Sequence, residues 1–257
     1  MKKIGFIGMG NMAQALCAGF ARSRVEMAAF APNQKRLSEN AARLGFAPCA
    51  SPGDVCDCAD TIVLACKPHQ AEGALAEIKG KLSGKVLVSI ALGWNFARCR
   101  AALGQSTARV QFVMPNTPAM VGEGVFLFEK SHSLTAQERA ELWDLFASLG
   151  VVEELSDDLM GIGGAVAGCG PAFVDVFIEA YADAAVKHGM ARKTAYKLVS
   201  QMVLGAAKLQ RETGEHPAVL KDNVCSPGGT TIRGVTALEE RGLRAACVAS
   251  IDAIMRA

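Results

Sequence analysis

The chain has 257 residues, of which 51% are hydrophobic and 20% charged, a composition that can bury one large core or two modest ones. Its net charge of +2, from 27 basic and 25 acidic residues, does not favour nucleic acid or an anionic membrane as partner. We expect a small-molecule ligand and a cytoplasmic chain, because no secretory cleavage pattern follows Met1 and glycines interrupt the longest uncharged stretches.

The first half of the chain alternates short apolar runs with segments of helical period. Five of the runs are predicted strands, at residues 3–7, 25–30, 61–65, 86–90 and 110–113. The intervals between them leave room for crossover helices, which predicts βαβ units and a mostly parallel sheet. Two further strands are predicted at 124–129 and 151–155, on either side of a helix at 134–149 that Thr135 caps.

From residue 157 onward the periodicity is helical. Helices are predicted at 172–188, 192–213, 230–241 and 243–256. We therefore predict two domains, a sheet domain at 1–156 and an all-helical domain at 157–257. The helix at 172–188 is apolar almost all round, and a domain of about 100 residues seldom buries so much apolar surface alone, which predicts homodimerisation. Residues 161–170 and 226–229 are predicted as linkers or as walls of a site.

The chain contains nine cysteines and four histidines. The cysteines form no CxxC pair, and the histidines are scattered along the sequence. This is not the spacing of a zinc site, so we predict reduced, mostly buried thiols and no metal.

A glycine-rich turn follows the first predicted strand. Gly8, Gly10 and Ala13 form a GxGxxA pattern between this strand and a helical run at 11–22. In this context the first glycine permits a tight turn, the second admits a pyrophosphate, and the small third residue allows close packing of helix on strand. The pattern predicts a Rossmann domain that binds a dinucleotide, although an ordinary glycine turn has the same composition. The predicted cofactor contacts are Gly8, Gly10, Asn11, Met12 and Ala13.

The end of the second strand bears on the choice of cofactor. NAD-specific folds usually have Asp or Glu here to bind the ribose 2′-hydroxyl. The chain has no carboxylate at 30–33, and Lys35 and Arg36 follow, which favours the 2′-phosphate of NADPH, with NADH as the alternative. Asn33 is a predicted cofactor contact; alternatively, it caps the next helix while both cations are solvated.

A second glycine-containing loop lies at 222–231, before a helix that begins at two threonines. Paired glycines and hydroxyls at a helix N-terminus would direct free backbone N–H groups at a carboxylate ligand. A capped loop without a ligand has the same pattern, and the residues alone favour neither interpretation.

Five segments of the chain form a recognisable combination. They read GFIGMGNMAQAL at 5–16, LACKPHQ at 64–70, VMPNTPAMVGEG at 113–124, GCGPAFVDVFIEAYADAAVKHGM at 168–190 and DNVCSPGGTTIRGVTALEE at 222–240. In this order and spacing they resemble the pyrroline-5-carboxylate reductases, which catalyse the last step of proline biosynthesis. The last segment is the most specific, and the resemblance spans nearly the whole chain. Cys169 stands where the family often has serine.

The resemblance implies transfer of hydride from NAD(P)H to the C=N bond of a cyclic imino acid, giving L-proline. It places the Thr231 hydroxyl at the imine nitrogen as the catalytic group. It places Ser226 and the backbone of Gly229 and Thr230 at the substrate carboxylate. It also implies a homodimer or a larger ring, with each active site completed by helices of the partner subunit.

The resemblance, together with the rule that ligands bind at the carboxyl ends of parallel strands, predicts further cofactor contacts. These are Ala65, Lys67, Pro68 and Ala91. Lys67 is alternatively a plain surface residue. Asn116 is predicted to contact the substrate on the nicotinamide side, or else to satisfy the backbone of its own turn.

Two other functions fit the same architecture. A β-hydroxyacid dehydrogenase needs an acid or base, typically lysine, on the long interdomain helix, but residues 161–181 contain no lysine and Lys187 comes late. An NADP-binding regulator would keep the fold without turnover, and the hydroxyls and glycines of the 222–231 loop argue against it.

Overall fold

A computed structural model describes residues 3–256, and the chain divides into two compact units after Gly168. The first unit is built on one sheet of eight strands, in the order β3-β2-β1-β4-β5-β6-β7-β8. The strands are β1 Ile4–Ile7, β2 Met27–Phe30, β3 Ala47–Pro48, β4 Thr61–Leu64, β5 Val86–Ser89, β6 Arg109–Pro115, β7 Gly124–His132 and β8 Gly150–Leu155.

The pairing confirms the predicted Rossmann-type sheet. Strands β1 to β6 pair in parallel, β6 and β7 pair antiparallel, and β7 and β8 pair in parallel again. The first six strands have the order 3-2-1-4-5-6 of doubly wound dinucleotide-binding folds. The prediction omitted β3, because two residues are too few to carry a periodic signal.

Helices connect the strands and make up the second unit. They are α1 Asn11–Arg22, α2 Gln34–Leu44, α3 Pro52–Cys58, α4 Ala71–Ile78, α5 Phe96–Leu103, α6 Ala136–Ala147, α7 Met160–Gly163, α8 Gly170–Lys187, α9 Arg192–Thr213, α10 Pro217–Val224, α11 Thr230–Glu240 and α12 Leu243–Met255. Thr135 caps α6 as predicted, in a capping box: its hydroxyl accepts from the Glu138 N–H at 3.2 Å and the Glu138 carboxylate accepts from the Thr135 N–H at 2.9 Å.

The central strands are covered on both faces, as their continuous apolar runs predict. In β1, Phe6 belongs to one buried cluster and the next residue, Ile7, to a second. The first cluster is rich in aromatic rings, with Phe20 and Phe146 in an edge-to-face arrangement at 5.8 Å between centroids. This rigid sheet fixes the strand ends and therefore the turns that follow them.

Residues 161–170 were predicted as a linker or site wall, but they are helical. The helical stretch Asp157–Lys187 includes α7, a π-helical segment at Gly164–Cys169, and α8. A Cβ on Gly163 would lie 2.5 Å from Leu155 Cδ1 and 2.8 Å from Leu127 Cδ1. Glycine is thus present because the helix packs closely on β7 and β8, a tertiary reason that sequence composition does not reveal.

The 222–231 loop is also shorter than predicted. Its first residues, Asp222 to Val224, belong to α10, which begins at Pro217 after the His216 cap. The sequence analysis did not predict α10. Proline is well tolerated at the first position of a helix, but a helix of eight residues has too few turns to show a clear helical periodicity.

The second unit buries very little of itself. Of residues 169–256, only Ala182, Ala195 and Val199 are buried. Apolar side chains on α8 and α9 remain exposed, among them Val176 at 66% and Leu198 at 51%. By length and composition alone, the stretch Asp157–Lys187 is also apolar enough to cross a membrane. These helices therefore need a further apolar surface to cover them.

Gly19 tests the packing of α1 in the first unit. A Cβ at this position would lie 2.6 Å from the Ala119 carbonyl oxygen and 2.9 Å from Leu149 Cδ2. Alanine normally favours a helix over glycine by about 1 kcal/mol, but here we expect Gly19→Ala to lower the free energy of unfolding by about 1–3 kcal/mol. Urea denaturation measures this change. The control is Gly80→Ala, whose Cβ would meet open space; equal losses in both variants would contradict the packing argument.

Candidate active site

A cleft of about 910 Å³ opens at the carboxyl ends of β1, β2, β4 and β5. The residues at these strand ends that line it are 7–12, 30–33, 65–68 and 90–92. The order of the strands reverses between β1 and β4, which is where doubly wound sheets bind their ligands. The volume of the cleft lies in the range of cofactor sites.

The turn after β1 has the properties of a phosphate-binding loop. Gly8 has φ +101°, and a Cβ there would lie 2.6 Å from the backbone nitrogen of Cys66, so only glycine fits. Gly10 precedes α1 without a side-chain cap, and a Cβ there would meet nothing within 4 Å. The first N–H groups of α1 therefore face open space with partial positive charge, which suits an anion.

The β2 end of the cleft contains an amide and a cation. Asn33 caps α2, because its Oδ1 accepts from the Arg36 N–H at 3.0 Å. Both residues line the cleft, whereas Lys35 does not. The one acidic residue among the lining residues is Glu77, which lies on α4.

A shallower depression of about 550 Å³ lies between α8 and α11 in the second unit. Thr231 lines it together with Tyr181, Gly234 and Arg241. The other lining residues are Ala180, Ala184, Val235, Ala237 and Leu238.

The loop before α11 forms a tight turn. The Gly229 N–H donates to the Ser226 carbonyl at 3.0 Å, so this group is not free for a ligand. A Cβ on Gly229 would lie 2.6 Å from Ser226 Oγ, which places this hydroxyl against the N-terminus of α11. The next N–H groups, beginning at Thr230, have no partner within the helix and are available to an anion.

Comparison with known proteins supports the family resemblance noted in the sequence, and the similarity extends along nearly the whole chain. Residues 157–257 match the family model described as pyrroline-5-carboxylate reductase dimerisation, and residues 3–93 match the one described as NADP oxidoreductase, coenzyme F420-dependent. The pyrroline-5-carboxylate reductases of Treponema pallidum and Escherichia coli are each 39% identical to this chain. The first alignment covers 98% of both chains, and the second covers 99% of this chain and 96% of its relative. The chain belongs to the pyrroline-5-carboxylate reductase family.

Solved structures agree with this membership. The Plasmodium falciparum pyrroline carboxylate reductase with NADP bound has a TM-score of 0.88 and 32% identity, and the alignment covers 98% of this chain and 95% of that one. A Mycobacterium tuberculosis 3-hydroxyisobutyrate dehydrogenase is 13% identical with a TM-score of 0.55, which shows a shared fold alone. That fold is the one expected for the β-hydroxyacid dehydrogenase alternative. This alternative also needs an acid or base on the long helix, and in this chain Lys187 is the last residue of α8.

The cleft contains nearly all the residues predicted to contact the cofactor. Those that line it are Gly8, Gly10, Asn11, Met12, Asn33, Ala65, Lys67, Pro68 and Ala91. Ala13 does not line it; it is 1% exposed and packs in the core beneath α1, where its small size allows the close approach. Lys67 is an exposed residue that also lines the cleft, so both interpretations of it stay open.

Asn116 is 4% exposed, and both ends of its side-chain amide are bonded to backbone. Its Nδ2 donates to the Ala167 carbonyl at 3.0 Å, and its Oδ1 accepts from the Val125 N–H at 2.8 Å. The neighbouring Thr117, not Asn116, lines the cleft. These contacts favour the second of the two roles predicted for Asn116, that of satisfying the backbone around its turn.

Several cleft residues were not predicted from the sequence. Leu92 and Thr117 follow β5 and β6, so the rule on strand ends would have found them had it been extended by one or two residues. Cys66 lies between two predicted contacts, and burial raises the pKa of its thiol, which keeps the sulfur neutral. Cys66 therefore lines the cleft as a partly buried side chain whose thiolate form is disfavoured.

Proposed function

We propose that this chain reduces pyrroline-5-carboxylate to L-proline with NADPH. The observation that carries the proposal is 39% identity over 98% of both chains with a protein named as a pyrroline-5-carboxylate reductase. The cleft supports it independently, because its glycine turn, helix N-terminus and strand order are those of a dinucleotide site.

The residues of the cleft fit the cofactor. Gly10 leaves open space beside the N-terminus of α1, where the N–H groups would hold the pyrophosphate. Ala65, Pro68 and Ala91 would form an apolar wall. When bound, NADPH supplies the hydride that reduces the C=N bond.

Arg36 would hold the 2′-phosphate, with Asn33 beside it. A charge-assisted hydrogen bond contributes about 1.5–3 kcal/mol, less at an exposed site. We therefore expect Arg36→Gln to raise the KM for NADPH roughly tenfold while the KM for NADH changes little.

The matched control is Lys35→Gln, which removes the adjacent positive charge from a residue that does not line the cleft. Steady-state kinetics of both variants with both cofactors give the comparison. An equal effect of the two substitutions would show that only the general charge of this helix matters, and would remove Arg36 from the 2′-phosphate site.

The loop before α11 would hold the substrate. Ser226 and the N–H groups at the start of α11, including that of Thr230, would bind the carboxylate. The Thr231 hydroxyl would donate a hydrogen bond to the ring nitrogen as electron density develops there. Threonine is a weak acid, so this role is stabilisation and relay, and most of the acceleration comes from positioning.

The exposed apolar helices support assembly as a homodimer or larger ring. A unit of which only three described residues are buried has little core of its own, and residues 157–257 match the dimerisation model. We place the domain boundary at 156/157, where that match begins, although the second compact unit begins only at Cys169. We place the protein in the cytoplasm. Nine free thiols are typical of a reducing compartment.

The test is NADPH oxidation, followed by absorbance, with pyrroline-5-carboxylate as substrate. Parallel assays use NADH, and a β-hydroxyacid with NADP⁺. Rapid oxidation that depends on the imine establishes the reductase. Tight NADPH binding without turnover would instead favour the regulator, and oxidation of the hydroxyacid would favour the dehydrogenase.

A further inference from the structure

Two neighbouring turns form one wall of the cofactor cleft. The first, at 65–70, follows β4, and the second, at 90–94, follows β5. The two strands pair in parallel up to Leu64 and Ser89, so the sheet fixes where each turn begins but not how it continues. The predicted cofactor contacts on these turns are Ala65, Lys67, Pro68 and Ala91.

The turn after β5 directs one side chain outward and one inward. The Trp94 N–H donates to the Ala91 carbonyl at 3.0 Å, and Gly93 between them has φ +75°, as in a type II turn. Leu92 at the tip is 69% exposed and lines the cleft. Trp94 is 2% exposed and enters the core.

The Trp94 indole connects the two turns. Its Nε1–H donates to the Pro68 carbonyl at 2.8 Å, and Pro68 opens a short 3₁₀ turn at Pro68–Gln70. A buried indole N–H needs an acceptor, so this bond has a structural cost if it is lost. It crosses from one cleft wall segment to the other.

Trp94 is itself firmly held. The next helix, α5, begins two residues later, and the Phe96 N–H donates to Glu129 Oε2 at 2.7 Å. Glu129 is 2% exposed on β7. The Arg98 guanidinium lies 4.3 Å from the centre of the indole ring. The backbone two residues after Trp94 is thus bonded to the sheet, and the Trp94 indole is bonded to Pro68.

We propose that Trp94 is a positioning residue for the cofactor: its indole N–H holds the turn at 65–70 against the turn at 90–94, so that both present their cofactor contacts together. This rests on the proposed function, because the cleft must bind NADPH. The residue does not line the cleft, and it acts through Pro68.

The first test is Trp94→Phe, which keeps a buried ring and removes the donor. Loss of one such bond predicts a rise of roughly threefold to tenfold in the KM for NADPH and in the Kd of NADP⁺ by calorimetry. We expect kcat at saturating cofactor to stay within about twofold. The control is Trp143→Phe, since the chain has two tryptophans and Trp143 packs against Phe128 outside the cleft.

The second test uses the protein without cofactor. Amide hydrogen exchange of Lys67, His69 and Gln70 should be faster in Trp94→Phe than in Trp143→Phe, because the Pro68 carbonyl has lost its hydrogen bond to the indole. In Trp143→Phe, which retains Trp94 as the single tryptophan, NADP⁺ should change the fluorescence with the Kd found by calorimetry. This last measurement keeps the native indole, so it stands even where Trp94→Phe folds poorly.

The outcomes separate the two proposals. Suppose that the wild type oxidises NADPH. The positioning role is then overturned if the two variants have the same KM for NADPH, the same Kd for NADP⁺ and the same amide exchange. It is also overturned if NADP⁺ does not change the fluorescence of Trp94. If the wild type binds no NADP⁺, the proposed function fails. In that case, unchanged amide exchange at 67–70 in Trp94→Phe would also show that the indole hydrogen bond does not hold the two turns together.

Discussion

Replacing Gly10 by valine should abolish NADPH binding and leave the protein folded. Gly10 has φ −76°, which any residue adopts, and a Cβ there meets no atom within 4 Å. The branched side chain would therefore occupy the space beside the N-terminus of α1 where the pyrophosphate is proposed to lie. We expect the Kd of NADPH to rise by at least about a hundredfold, while the free energy of unfolding changes by less than about 1 kcal/mol.

Two other glycines provide the controls. Gly80→Val places the same side chain in open space outside the cleft, and it should leave the Kd unchanged. Gly8→Ala should instead damage the fold, because φ +101° and the backbone of Cys66 both exclude a Cβ. Calorimetry and urea denaturation of the three variants distinguish these effects. NADPH binding by Gly10→Val at wild-type strength would contradict the assignment of the pyrophosphate site.

Local patterns made the first unit largely predictable. The GxGxxA pattern predicted the turn at Gly8 and Gly10, because the geometry of this turn is determined by residues that are adjacent in sequence. The absence of a carboxylate at the end of β2 could also be read directly from the sequence. The sequence did not distinguish Lys35 from Arg36, since this depends on the phase of α2 after the Asn33 cap, which only the structure shows.

The features that were missed depend on distant contacts. Residues 161–170 form a helix although they contain several glycines, because Gly163 packs against Leu155 and Leu127. The link from Trp94 to Pro68 joins residues 26 apart in sequence, and no periodicity marks it. Apolar side chains of α8 and α9 remain exposed, so the contacts that would cover them cannot be read from the periodicity of these helices.

Thr231→Ala should lower kcat by about tenfold to hundredfold, the range for losing a hydrogen bond to a group that gains charge in the transition state. Thr231 lines the depression between α8 and α11 and is exposed, so the substitution removes a hydroxyl without opening a core cavity. The KM for NADPH should stay within about twofold, because the cofactor contacts are proposed for other residues. Stopped-flow or steady-state NADPH oxidation with saturating imine measures the change.

Two variants separate the hydroxyl from the rest of the side chain. Thr231→Ser keeps the donor and loses a methyl group, so it should retain most of the wild-type kcat. Thr236→Ala lies on the same helix but outside the depression, where its hydroxyl donates to the Arg233 carbonyl at 3.0 Å, and it should not change kcat. If Thr231→Ala turns over as fast as the wild type, the proton must reach the nitrogen from water or arrive with the imine. Equal losses in the alanine and serine variants would instead assign the effect to packing, because only the alanine variant lacks the hydroxyl.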